Sequence, residues 1–210
     1  MWQDEHKYAN YVEGVIRMNT YSNNRAEYML DIETMGVNIK APIAAIGVCK
    51  FDRSTGEVTD TFYREVSYKG QPGRLEDQST VEFWSKQSDE ARSCLNGTLA
   101  LEDVLRELAE FIFTTSNSNK IFMWGNSGKF DTGNLETAYL ECGMKVPWAD
   151  SWQGDSCFRV IRRELEEVGI KARVKREGVH HNALDDAKHQ VKVLCKILSK
   201  LKDLTTTRVL

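Results

Sequence analysis

Tyr28-Met29-Leu30-Asp31-Ile32-Glu33-Thr34 is the stretch on which the reading of this chain turns. Three apolar or aromatic residues lead into carboxylates at i and i+2, and a strand sends alternate side chains to one face. Asp31 and Glu33 are therefore expected to project together from one side of a buried strand. Two like charges that close need a cation, or one of them must hold a proton at neutral pH. A hard divalent metal with oxygen ligands answers that need; a solvated strand edge or a helix cap is the plainer alternative. The metal reading demands two more acidic ligands and, for hydrolysis, a base.

On the C-terminal side of this strand, Gly36 and residues 38–42 read as a loop, and Ile43 to Phe51 as a second, mostly buried strand. Asp52 to Gly56 is turn chemistry and Val58 to Val66 alternates as a third strand, so a hairpin is expected. A loop follows at Gly70, Pro72 and Gly73. Ser79-Thr80-Val81-Glu82 has a capping-box pattern, which predicts a helix starting there. Leu101, Val104, Leu105, Leu108, Phe111 and Ile112 recur at the spacing of an amphipathic helix. Ile121 to Trp124 reads as a buried strand that ends in the loop Gly125-Asn126-Ser127-Gly128. Helices are expected over 132–142, over 156–168 with Phe158, Ile161, Leu165 and Val168 on one face, and over 183–201. A strand hairpin followed by helix and strand in alternation predicts an α/β fold, a mixed central sheet flanked by helices.

With 210 residues and 41% hydrophobic content, one well-buried domain is expected, over 27–205. Residues 1–26 are polar and without a sustained period, so they read as an N-terminal arm, or as an upstream start with the native one near Met18. No run of about 18 apolar residues suggests a membrane span, and no apolar signal core precedes the domain. Five cysteines, far apart and without paired spacing, predict neither a disulfide frame nor a thiolate zinc site and suit a cytoplasmic protein. A net charge of −3 advertises no polyanion partner. Nucleic-acid binding would rest on local basic groups and on bound cations, which invert the field of an acidic site.

Asp131 follows a strand at the mouth of a helix, where ligands gather in α/β sheets; as an alternative it caps that helix. Near the end of the chain, Val179-His180-His181-Asn182-Ala183-Leu184-Asp185-Asp186-Ala187 offers a histidine ahead of a helix and an aspartate in its first turn. His180 with Asp185 and His181 with Asp186 have the same separation. Leu184, Ala187, Val191, Leu194, Leu198 and Leu201 define the buried stripe; Asp185 lies nearly opposite it and Asp186 at its edge. A site beside the core selects Asp186 and with it His181, against a plain reading as cap and dipole partner. Four carboxylates in one pocket suit two divalent ions about 4 Å apart, which clamp the attacking and leaving oxygens of a phosphoryl displacement. His181, with an ordinary pKa near neutrality, is suited to take a proton from the attacking water.

At these residues the chain resembles the DEDDh group of 3′-5′ exonucleases, whose fold is RNase H-like. Asp31-Ile32-Glu33-Thr34 resembles the first motif of that group, Phe130-Asp131 the second, and His181 to Ala187 the third. The tyrosine subclass wants Tyr four residues before the last aspartate, where Asn182 stands. The likeness is closer to phage DexA-type exonucleases and the mycobacterial RNase AS family, carried by Asp31 to Gly36 and Ser79 to Arg92. The resemblance implies that Asp31, Glu33, Asp131 and Asp186 hold two Mg²⁺ or Mn²⁺ ions, with Asp31 touching both, and that His181 is the general base. It also implies that Thr34, Met35 and Gly36 lie along the terminal nucleotide. Asn126 and Lys129 border Asp131 and are candidates for substrate contact or for shaping the turn.

The activity so implied is removal of nucleoside 5′-monophosphates from the 3′ end of single-stranded DNA or RNA, or of 3′ overhangs, with a homodimer as an implication of kinship. A non-catalytic nucleic-acid or protein binding module on the same fold, and a hydrolase of very short oligonucleotides, are the alternatives. Lys171, Arg173, Lys175 and Arg176 form a basic cluster suited to phosphates or to a solvated loop. Trp124, Phe83 and Trp84 would stack on bases or fill the core.

Overall fold

The computed structural model describes residues 25–118, 120–148 and 155–207, so the N-terminal arm read from the sequence lies outside the described residues up to 24. Strands β1 (Ala26–Thr34), β2 (Ile43–Phe51), β3 (Val58–Glu65), β4 (Ile121–Gly125) and β5 (Asp155–Cys157) form one sheet in the order β3-β2-β1-β4-β5. β1 pairs antiparallel with β2, and β2 with β3, whereas β4 is parallel to both β1 and β5. This is the expected mixed sheet flanked by helices.

β1 lies at the centre, and every one of its residues is buried. Its two-residue alternation therefore decides which core each side chain joins. Tyr28, Leu30 and Ile32 pack on one face with Val104, Leu105, Leu108 and Ile112 of helix α3 (Leu101–Thr115) and with Leu135, Ala138 and Tyr139 of α4 (Asp131–Glu141). Met29 packs on the other face against Ala187, Val191, Leu194 and Ile197 of α6 (Ala183–Thr207). Asp31 and Glu33 share the parity of Met29, so the same alternation aims them at the α6 side. Each apolar side chain of this size contributes about 1.5–3 kcal/mol on burial, which makes a slip of register by one residue prohibitive.

Two glycines set how closely the helices approach the sheet. A Cβ on Gly47, the β2 partner of Asp31, would lie 2.3 Å from the backbone of Ala183 and Leu184, so its absence seats the N-terminus of α6 directly on β2. A Cβ on Gly125 would lie 3.0 Å from that of Asp131, so the end of β4 is bare where α4 begins.

Several expectations need correction. Helix α1 (Gln78–Ser85) has Asp77 at its N-cap, and the Ser79–Glu82 capping box does not form. Asp77 makes no side-chain cap bond either, because its carboxylate accepts the Val37 N–H at 2.8 Å and holds the loop after β1. The short helix α2 (Asp89–Arg92), capped by Ser88, and strand β5 were not expected. β5 takes the first residues assigned to the third helix, so that helix, α5, runs Phe158–Glu167. Val168, expected on its buried face, is the C-cap residue and 62% exposed. Among the described residues, no helix is long and apolar enough to cross a membrane.

Candidate active site

The site forms where β1, the β4–α4 junction and the start of α6 converge. Carboxylate oxygens of Asp31, Glu33 and Asp186 lie within 4.8 Å of one another. Asp131 is the first residue of α4, 4% exposed, and its charge is the strongest neighbouring influence raising the pKa of both Asp31 and Glu33. It does not act as the cap: Phe130 holds the N-cap position, and Asp131 Oδ2 accepts the Ser127 N–H at 2.6 Å. The four carboxylates singled out from the sequence are thus brought together.

The structure also separates the adjacent aspartates of α6. Asp185 Oδ2 accepts the Val179 N–H at 2.8 Å and closes the loop ahead of the helix. Asp186, at the edge of the buried stripe, faces Asp31 and Glu33 and forms an ion pair with Arg176. Nitrogens of both His180 and His181 come within 4.8 Å of the Asp186 carboxylate. His181 is the better held of the two. Its ring stands edge-on to Phe83 at 5.0 Å and to Trp84 at 6.1 Å, whereas His180 is exposed with its ring 3.9 Å from that of His181. His181 has φ 63°, a left-handed conformation that a non-glycine residue keeps only when its surroundings impose it, as they do at functional sites.

Burial is the main influence on the proton affinity of these groups. It pushes Asp31 well above the carboxylate range, helped by Asp131 and Glu33 and opposed by Gln190, whose Nε2 donates to Asp31 Oδ1 at 2.7 Å. Burial and the Asp131 charge raise Glu33 to about 8, and burial raises Asp131 to about 6 against the Ser127 N–H and Arg159. His181 is shifted down by burial, by His180 and by Arg176. Glu33 Oε1 is buried with no hydrogen-bond partner among the described residues. Crowded acids with an unspent buried oxygen are a donor set that fits hard divalent cations.

A pH dependence follows. The folded protein keeps protons on Glu33 and Asp131 at pH values where the unfolded chain, near pKa 4, has released them. Their stabilising contribution is complete below about pH 4 and is lost as pH rises through 6 to 8. In chelator, the Tm should fall between pH 5 and pH 8, and Mg²⁺ or Mn²⁺ should flatten that fall by replacing the protons. A scan showing the same slope with and without metal would remove the cation reading.

The other candidates are placed as follows. Thr34 Oγ1 donates to the Gly36 carbonyl at 2.7 Å, and the Trp84 indole N–H donates to the Thr34 carbonyl at 2.9 Å. Met35 is 3% exposed and packs with Ala45, Trp84 and Ala183. Asn126 follows β4, and its carbonyl accepts the Arg159 N–H at 3.0 Å. Trp84 and Trp124 are core residues; Phe83 is 39% exposed beside His181. Gln190 was missed as a member of the site, and Arg176, read from the sequence as one of a basic cluster suited to phosphates or to a solvated loop, was not expected to pair with Asp186. Gln190 stands one helical turn after Asp186, a spacing that could have revealed it.

Residues 26–198 match the family model of the Rv2179c-like 3′-5′ exoribonuclease domain. Among curated proteins, the chain is 26% identical over 186 residues to the DNA polymerase III PolC-type of Clostridium perfringens, covering 84% of this chain and 12% of that protein. It is 32% identical over 114 residues to the exodeoxyribonuclease of Enterobacteria phage T4, covering 49% of this chain and 48% of the phage protein. The chain therefore spans about half of one relative and a small part of the other. Among solved structures, the nuclease domain of 3′hExo, a DEDDh family member bound to rAMP, superposes with TM-score 0.59 at 15% identity, covering 85% of this chain and 94% of that one. Escherichia coli Exonuclease I in complex with a dT13 oligonucleotide gives TM-score 0.59 at 15% identity, over 88% and 43%. At such identity these two structures establish a shared, RNase H-like fold.

Proposed function

The chain belongs to the Rv2179c-like 3′-5′ exoribonuclease domain family, and from that membership we propose that it is a two-metal exonuclease releasing nucleoside 5′-monophosphates from the 3′ end of single-stranded RNA. The observation that carries this reading is the convergence of the Asp31, Glu33 and Asp186 carboxylates within 4.8 Å. RNA is favoured over DNA because the family whose model matches residues 26–198 is one of exoribonuclease domains.

Asp31, Glu33, Asp131 and Asp186 are the ligands proposed for two Mg²⁺ or Mn²⁺ ions, which when bound would neutralise charge on the attacking and leaving oxygens. His181, its proton affinity lowered, is neutral near pH 7 and accepts the proton of the attacking water on a ring nitrogen. Phe83 and Trp84 hold that ring in place, so little orientational freedom is left to lose in the reaction. Gln190 keeps Asp31 turned inward. Thr34, Met35 and Gly36, which follow Glu33, and Asn126, in the loop that leads from β4 to Asp131, are assigned to the terminal nucleotide. The five cysteines are free, which suits a reducing cytoplasm, and the assembly implied by kinship is a homodimer that light scattering can read.

The deciding assay follows 5′-labelled single strands of RNA and DNA of one sequence with Mg²⁺, Mn²⁺ or chelator. Stepwise shortening of RNA from the 3′ end, stopped by chelator, is expected. Shortening of DNA alone would reassign the polymer. Neither strand shortening with either metal would overturn the reading in favour of a binding module.

A further inference from the structure

The segment joining α5 to α6 carries a cation into the site. Residues 171–177 have neither helix nor strand, yet they alternate: 171, 173, 175 and 177 are exposed, and 172, 174 and 176 are partly buried. Ala172 and Val174 use their inward positions to pack on the core beneath α6. Arg176 is the next inward position, and it meets the carboxylates instead of the core.

The outward face is riveted to α6 by three lysines one turn apart. Lys200 Nζ donates to the Lys171 carbonyl at 2.6 Å, Lys196 Nζ donates to the Arg173 carbonyl at 3.0 Å, and Lys192 pairs with Glu177. The segment is thus fixed in register on the helix that bears Asp186. The Arg176 guanidinium pairs with Asp186, and its charge is felt at Asp31 and Glu33 as well. Its Nε is buried with no hydrogen-bond partner among the described residues. A buried donor without a partner is costly, and a guanidinium satisfies it best on a planar pair of anionic oxygens such as those of a phosphate.

We propose that Arg176 is an exchangeable counter-cation of this site: it pairs with Asp186 until divalent ions take that carboxylate, and it then turns to a phosphate oxygen of the nucleic-acid strand. The inference rests on the two-ion reading above. It assigns opposite effects to one side chain, because Arg176 competes with the metal for Asp186 and cooperates with it in holding the strand. A residue that only stabilised the fold would produce neither effect.

The test uses Ca²⁺ as a probe and compares the wild type with Arg176→Gln, Arg176→Ala and Arg176→Lys, each checked for native circular dichroism. In calorimetric titration, the Gln and Ala variants should bind Ca²⁺ about tenfold more tightly, since no ion pair has to be broken, while the Lys variant should not. With Ca²⁺ saturating, a single-stranded RNA should bind the Gln and Ala variants more weakly, with the salt slope reduced by about 0.7. The Gln variant, which keeps part of the stem and a polar end without the charge, carries the test if the Ala variant does not fold. Ca²⁺ affinity equal to or below that of the wild type in the Gln variant would overturn the exchange while leaving the two-ion reading intact. Absence of Ca²⁺ binding in the wild type would overturn both.

Discussion

Asp31→Asn should abolish turnover while leaving a folded and, in chelator, more heat-resistant protein. Asn keeps the shape of the side chain and its Oδ1 still accepts the Gln190 amide, so the packing between β1 and α6 is unchanged. What it removes is an acid whose ionisation in the folded protein is opposed by burial first and then by Asp131 and Glu33, but which ionises freely in the unfolded chain. Without metal that opposition is a cost to folding, so the Tm at pH 8 should rise on substitution. With metal the same carboxylate is a ligand, worth several kcal/mol of transition-state stabilisation. At 1.36 kcal/mol per decade this corresponds to a loss of about 10³-fold or more. The opposite directions are the diagnostic point, because a merely structural aspartate would lose stability when neutralised. Activity within tenfold of the wild type in Asp31→Asn would sink the catalytic assignment.

Gly47→Ala is expected to damage both activity and stability through a single methyl group. The added carbon would lie 2.3 Å from the backbone carbonyl carbon of Ala183 and the backbone nitrogen of Leu184, a separation that no side-chain rotation relieves. Either β2 bends or the start of α6 lifts from the sheet. Asp186 and Gln190 move with α6, and His181 with the loop tied to it through Asp185 and Val179. A displacement of about 1 Å in such a constellation costs about 10²-fold in rate, and overpacking costs about 1–3 kcal/mol of stability. Both losses should appear together in kinetics and thermal unfolding, with Ca²⁺ affinity falling in parallel. Wild-type kinetics in a protein of unchanged Tm would show that the helix approaches less closely than the structure has it.

Much of the site was legible because its residues sit in elements with clear periods. The alternation along Tyr28 to Thr34 needs no partner strand to put Asp31 and Glu33 on one face, and the apolar stripe of α6 needs only helical geometry to prefer Asp186 over Asp185. Asp131 was recognisable as the first residue after a strand and loop, although the cap reading competed with it on equal chemistry. Other features left no local trace. β5 is three residues whose strand character comes from pairing Asp155, Ser156 and Cys157 with Met123, Trp124 and Gly125. The capping box at Ser79 was overridden because Asp77, a better-placed acid, is engaged by the loop after β1. Arg176 read as one of four basic residues suited to phosphates or to a solvated loop, and only the register of its segment against α6 turned it toward Asp186.

The sequence by itself determined which acids share a face, because strand and helix periods are properties of a few consecutive residues. It determined the order of the longer elements and hence a mixed sheet flanked by helices, since apolar runs and turn residues mark those elements out. Only the tertiary structure decided which charges meet. Proton affinities at Glu33 and Asp131, the ion pair of Arg176 with Asp186, and the ring contacts of His181 with Phe83 and Trp84 join residues from distant parts of the chain. Those interactions depend on burial and on separations of a few ångströms, and such distances are set by the packing of the whole core rather than by any stretch of sequence.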